Sequence, residues 1–312
     1  MATYTLLNEE LQEVPQSWFD AQTSEHHQKT KNASLKSFHE EEVKALKAYH
    51  DGHLAVEAAA AMITRPISES PVPELGGYSD HATAICQLWT LLTTALVEWP
   101  SSRTNQLVSL LTAISRVPDQ VHRGEVLDDD RKTPRTWSSL PWFEMVWSDA
   151  HWMKPGMIIR RASDDADKRR RRDIYVKRQD VEAQLVAAGL LEWKRAFQYL
   201  INALERKPGP HDHQEAASDG EADRQLKLDF QIPAAARWIK HNGKRLHDGL
   251  VKDELRDWDK KDIPSASMHF EQPEERWAFW RDRFAEIQRD ESDSFVKEAA
   301  GTAIDLMRDI QG

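Results

Sequence analysis

Cysteine is almost missing from this chain of 312 residues: Cys86 stands alone. One thiol forms no internal disulfide and builds no CxxC zinc site. A surplus of positive charge is missing too. Against 52 Asp and Glu stand 42 Lys and Arg, a formal net charge of −10. Nucleic-acid binding draws on surplus cations that displace counterions, so a nucleic-acid partner is not expected. Long apolar runs are also lacking. The longest, Ile85 to Trp99, is too short for a membrane span and contains Gln87 and Glu98. Met1 to Asp20 carries Glu9, Glu10 and Glu13 and no apolar stretch of signal length. The expected location is therefore cytoplasmic, or nuclear, and the Asn32-Ala33-Ser34 sequon is expected to be idle.

The sequence contains no phosphate-binding loop, dinucleotide glycine pattern, nucleophile elbow or HExxH. No catalytic residue, cofactor or metal is expected. What the chain does have is 12 Trp and 9 Phe, with charged residues at 30%. Large aromatics bury the most area per residue, and so many charges call for a well-solvated outer face. Together they point to amphipathic helices around an aromatic core.

The clearest helix carries Ile85, Leu88, Trp89, Leu92, Leu96 and Trp99 at i, i+3, i+4, i+7, i+11 and i+14, and Pro100 stops it. Leu107, Leu110, Leu111, Ile114 and Val117 form the next stripe. Further stripes run over Leu35 to Tyr49, Ala55 to Ile63, Val181 to Leu204, Ile232 to Ile239, Trp277 to Ile287 and Val296 to Ile310. Residues 244–257 read as a further helix. A short helix is expected to open at Ser139 and Pro141 and to run to Trp152. No segment alternates convincingly as a strand. The expected fold is all-α, a single compact multi-helix array of about ten helices. Residues 1–33 read as a mobile arm and 34–312 as one all-α domain. Flexible loops are expected at 162–172, a charge block, and at 207–225, which has almost nothing to bury.

Few residues suggest chemistry. Asp128-Asp129-Asp130 and Asp164-Asp165-Ala166-Asp167 lack the spacing of paired aspartates along one helix face. His50, His53 and Glu57 resemble a metal triad, but the Asp51-Gly52 turn interrupts the face, and solvated histidines at a helix end explain them better. His211-Asp212-His213 lies in the polar insertion. Lys168 to Arg172 is either a nuclear-localisation patch or a solvated run offset by the acids before it. Trp137, Trp142, Trp147 and Trp152 recur every five residues and so cannot form one helical stripe. Trp142, Trp147, Asp149, His151 and Trp152 are therefore a candidate pocket for a small apolar metabolite, with a core packed from two sides as the alternative. Arg276, Trp277 and Trp280 read as a structural clamp, in which Arg276 stacks on a Trp or pairs with an acid across a helix interface.

Several stretches carry a resemblance. They are Leu88-Trp89, Leu140-Pro141-Trp142, Trp193 with Ala196-Phe197, Ile232-Pro233-Ala234-Ala235-Ala236-Arg237-Trp238-Ile239, and Glu275-Arg276-Trp277-Ala278-Phe279-Trp280. The chain resembles, over about residues 40–310, a fungal family of uncharacterised proteins, a domain of unknown function. The resemblance implies a helical fold and a filamentous-fungal source. It also implies that some members are encoded in secondary-metabolite gene clusters, and it carries over no catalytic residue. The leading expectation is a non-catalytic accessory or interaction protein, with a protein partner, serving such a pathway. The alternatives are an enzyme or carrier for a small apolar metabolite in a Trp-lined pocket, and a nuclear regulatory protein imported through Lys168 to Arg172.

Overall fold

The computed structural model describes residues 13–29, 32–69, 78–118, 137–151, 153–205, 220–252, 254, 270 and 272–311. Among these the fold is all-α, with no strand. Sequence patterning leads to an expectation of one domain; by packing, the chain divides into two compact units, Met1–Trp152 and Met153–Gly312.

The first unit holds α1 (Gln16–Lys29), α2 (Ala33–His50), α3 (Val56–Glu69), α4 (Tyr78–Glu98), α5 (Thr104–Ile114) and α6 (Phe143–Ala150). Helix α3 packs on α2 and α5, and α6 packs on α4. The stripe on α4 does what its periodicity predicts. Leu88, Trp89, Leu92, Leu96 and Trp99 are all buried. The expected arm at 1–33 is helical over Gln16–Lys29. It lacks a helical apolar stripe, so tertiary contact holds it. Phe19 is buried with its ring 5.9 Å from that of Trp99, and Trp18 Nε1 donates to Glu98 at 2.7 Å. Asn32, not Ser34, caps α2, accepting from the N–H groups of Ser34 and Leu35. Asp51 and Gly52 end that helix, with Gly52 at φ 76°.

The short helix expected from Ser139 starts later. Leu140 and Trp142 adopt left-handed φ values of 44° and 62°, which no α-helix tolerates. A 3-10 turn occupies Trp137–Ser139, and α6 begins at Phe143. Trp89 Nε1 donates to the carbonyl of Pro141 at 2.6 Å, pinning the turn from the middle of α4.

The second unit holds α7 (Pro155–Arg160), α8 (Asp165–Ala187), α9 (Lys194–Leu200), α10 (Gly220–Val251), α11 (Pro273–Asp290) and α12 (Ser294–Gln311). Helix α10 is its axis and packs against α8, α12, α11, α9 and α7. Pro155 opens α7 at its first turn, where a missing N–H costs nothing. The charge block at 162–172, expected as a loop, is helical from Asp165 onward. Asp164 caps α8, accepting from the Asp167 N–H at 2.8 Å. Asp167 then pairs with Arg170 and Arg171, each at 2.7 Å, one turn along. These guanidiniums hold the Asp167 carboxyl well below the usual carboxylate range.

The stripe from Val181 to Leu204 is not one continuous helix. Gly189 at φ 73° terminates α8, and the Leu190 N–H donates back to the Leu185 carbonyl. A π-turn, Ile201–Glu205, extends α9. Of the insertion expected at 207–225, the first 13 residues lie outside the described ones, and from Gly220 the chain is helical. The stripe from Ile232 to Ile239 does not begin a helix of its own, and Pro233 sits inside α10. It has no N–H to give the carbonyl of Asp229, one turn earlier. The same helix continues through the first part of 244–257 to Val251.

Candidate functional site

The first two turns of α8 set Asp165, Lys168, Arg169 and Arg172 on one face, at i, i+3, i+4 and i+7. That face lines an open pocket of about 250 Å³. Asp229 of α10 and Asp293, immediately before α12, complete the lining. One wall is therefore mostly basic, and the residues from α10 and the start of α12 are acidic.

Each charge is held differently. Lys168 Nζ lies 3.7 Å from Asp229 Oδ2, a long ion pair. Arg172 stacks its guanidinium 4.2 Å over the ring of Phe295 and donates to Asp173 at 3.0 Å, so its orientation is fixed. Asp293 accepts from the Phe295 N–H at 2.8 Å and caps α12. Arg169 is exposed and makes no ion pair among the described residues. Burial pushes the Asp229 carboxyl above its usual range, and Asp293 and Glu291 push the same way. Lys168 and Arg172 pull it down without cancelling the rise. The pocket thus holds a carboxylate that is short of positive charge near an arginine that makes no ion pair among the described residues.

The tryptophan segment is arranged otherwise. Trp147 is buried, and His151 lies against it with ring centroids 4.2 Å apart and Nδ1 2.9 Å from the Trp147 carbonyl oxygen. Trp142 is half-buried in the left-handed turn. Asp149 is exposed, 200° around the helix from Trp147, and does not converge with it. Trp152 lies outside the described residues.

Arg276, Trp277 and Trp280 do come together, around a residue that the sequence analysis missed. Glu205, at the end of the π-turn, is 2% exposed. Its Oε1 accepts from Trp280 Nε1 at 2.8 Å and lies 3.0 Å from Arg276 Nε. The Arg276 guanidinium also sits 4.9 Å from the ring centroid of Phe270. Burial lowers the Arg276 pKa, and the Glu205 charge opposes that shift. The available signal was a glutamate directly after the apolar run Leu200-Ile201 and Leu204. Trp277 is buried beside Trp280, with His247 against its ring.

Other polar side chains of this unit tie helices together. His241 Nε2 lies 3.0 Å from Asp180 Oδ1, and Trp238 Nε1 donates to Gln179 at 2.9 Å. Burial alone would raise the Asp180 pKa; the His241 hydrogen bond and the charges of His241, Arg237 and Lys240 outweigh it and leave the pKa lowered. Tyr175 and Tyr199 meet through their hydroxyls at 3.1 Å, and burial pushes Tyr175 up to about 12. In the first unit, buried His50 accepts from the Val14 N–H at 3.4 Å and faces Asp51 at 2.9 Å, while His53 and Glu57 are exposed. No group of three metal-ligating side chains occurs among the described residues. Asp128 to Asp130 and His211 to His213 lie outside them. No helix among the described residues is long and apolar enough to cross a membrane.

No curated protein and no solved structure matches this chain. One protein family does. The match runs over residues 89–284, more than half of the sequence, and takes in Trp89, the Leu140-Pro141-Trp142 turn, the α9 segment and most of α11. On that match the chain belongs to the family described as "Protein of unknown function (DUF3632)".

Proposed function

We propose that this protein acts by binding, as a non-catalytic accessory or interaction protein, and that the charged pocket of the second unit is its recognition site. The observation that carries this reading is the chemical make-up of the lining. Six charged side chains surround open space, and none is a hydroxyl, a thiol or an imidazole. Asp180, His241, Tyr175, Tyr199 and Glu205, the groups better suited to proton transfer, are hydrogen-bonded within helix packing. A pocket of fixed charges orients an ionic group.

The test is a thermal-shift screen of the full chain against charged metabolites, followed by mass spectrometry of every compound that shifts the melt. Ligands recovered unchanged are the expected result. A chemically altered product, or no shift across the panel, would overturn the reading.

The wider setting, an accessory role in fungal secondary-metabolite biosynthesis, is supported by the sequence resemblance. Deleting the gene in its source organism should change the profile of secreted metabolites while growth is retained. An identical profile would remove this part of the proposal.

A further inference from the structure

The pocket is lined by charges of both signs, and this limits what fits it. The α8 face contributes Lys168, Arg169 and Arg172 together with Asp165, and Asp229 and Asp293 come from α10 and the start of α12. A simple anion would meet three cations but would also sit against three carboxylates. A simple cation would meet the carboxylates and be repelled by the three cations. In either case a like-charge term opposes binding. A ligand with an anionic group at one end and a cationic group at the other finds a complementary partner for each.

The internal pairing leaves room for such a ligand. The Lys168–Asp229 contact at 3.7 Å is the one ion pair between lining residues among the described ones. Arg169 has no ion-pair partner among them, and Arg172 is already oriented by Phe295. Asp229 is under-compensated, and Pro233 leaves the Asp229 backbone carbonyl without its usual helical donor. Donors for a carboxylate and acceptors for an ammonium thus line one space of a size suited to a small molecule.

We infer that this pocket binds a small zwitterion, a molecule carrying a carboxylate and an ammonium group of the amino-acid type. The carboxylate takes Arg169 and Arg172, in the charge-assisted geometry that guanidinium favours. The ammonium takes Asp229 and Asp293. The inference rests on the binding reading above and adds the ligand class to it.

Calorimetric titration of the full chain tests it with a series of unbranched amino acids whose ammonium and carboxylate are separated by one to five carbons. Propionate and propylamine serve as single-charge controls. One chain length should bind best, about tenfold or more tighter than either control. Arg169→Gln should lose about tenfold in affinity. It touches no ion pair, so its melt should match the parent. Asp229→Asn should lose a similar factor. Arg170→Gln, beside the pocket but paired with Asp167, should bind like the parent. The inference is overturned if either control binds as tightly as the best zwitterion, if no member of the series binds, or if Arg169→Gln binds unchanged. Should Asp229→Asn fail to fold, Arg169→Gln decides alone. If propionate or another single-charge ligand binds and the zwitterions do not, this inference falls and the binding reading stands. If nothing charged binds, both fall.

Discussion

Each unit buries a glutamate, and the two are treated in opposite ways. Glu205 in the second unit accepts from Trp280 Nε1 at Oε1 and from Arg276 Nη2 at Oε2. Glu42 in the first unit is 1% exposed and meets only His39, at 3.5 Å, while its Oε1 has no hydrogen-bond partner among the described residues. Burial pushes the Glu42 carboxyl above its usual range, and His39 pulls it down by less. The same residue type is thus a tie between helices in one unit and an uncompensated burden in the other. Helix packing tolerates a buried acid; whether that acid stabilises depends on what was brought to meet it.

The sharpest way to break the comparison is at Glu205. Glu205→Ala leaves a buried guanidinium and a buried indole N–H without their acceptor. Urea unfolding should show a loss of about 3–5 kcal/mol, the range for removing one member of a buried pair. A loss below about 1 kcal/mol would mean that water replaces the carboxylate. In the first unit a comparable loss should come from an apolar core residue. Trp89→Ala should also cost about 3–5 kcal/mol, because Trp89 packs edge-on against Trp137 and Phe143 and anchors the Pro141 turn.

Glu42 should give the reverse sign. A glutamate whose folded pKa is raised above 4.5 contributes fully below pH 4.5, and stability falls as the pH climbs through the raised value. Glu42→Gln removes that loss. It should be the more stable protein at pH 7, by about 1–2 kcal/mol, with its melting curve converging on the parent's as the pH falls toward 4.5. A destabilised Glu42→Gln at neutral pH would show that the His39 contact outweighs burial.

The smallest effects should be equal in the two units. Gly52 and Gly189 both hold left-handed φ values, and a Cβ at either would meet nothing within 4 Å. Ala at each should therefore cost only the backbone term, about 1 kcal/mol. Unequal costs would reveal a constraint on one helix terminus beyond its dihedral angle.

Most of the helices were legible because apolar stripes are local. Leu88, Trp89, Leu92 and Leu96 announce a buried face in one short window. Where a helix is held by something other than a stripe, the pattern gave no warning. Helix α1 rests on Phe19 and on contacts far along the chain, and the start of α8 rests on Asp164 and a ladder of ion pairs written in residues that read as composition. The pocket was half visible. Lys168 to Arg172 stood out, but Asp229 lies on α10 and Asp293 just before α12, and only packing brings them to the same pocket. The left-handed turn at Leu140 and Trp142 was hidden by Pro141, which signals a helix start as readily as a turn. Glu205 was overlooked because one carboxylate beside an apolar run looks like a helix end.

The π-turn at Ile201–Glu205 bears on how this segment tolerates changes in length. A π-turn accommodates one residue more than the α-helical repeat. Removing a single residue between Phe197 and Leu204 would restore the ordinary winding and leave the following side chains on their present sides, whereas the same deletion in a regular α-helix would swing them by about 100°. Glu205 would then stay on the Arg276 and Trp280 side. The π-turn thus acts as a length buffer, so related sequences one residue shorter in this stretch would be expected to keep their buried acid in place.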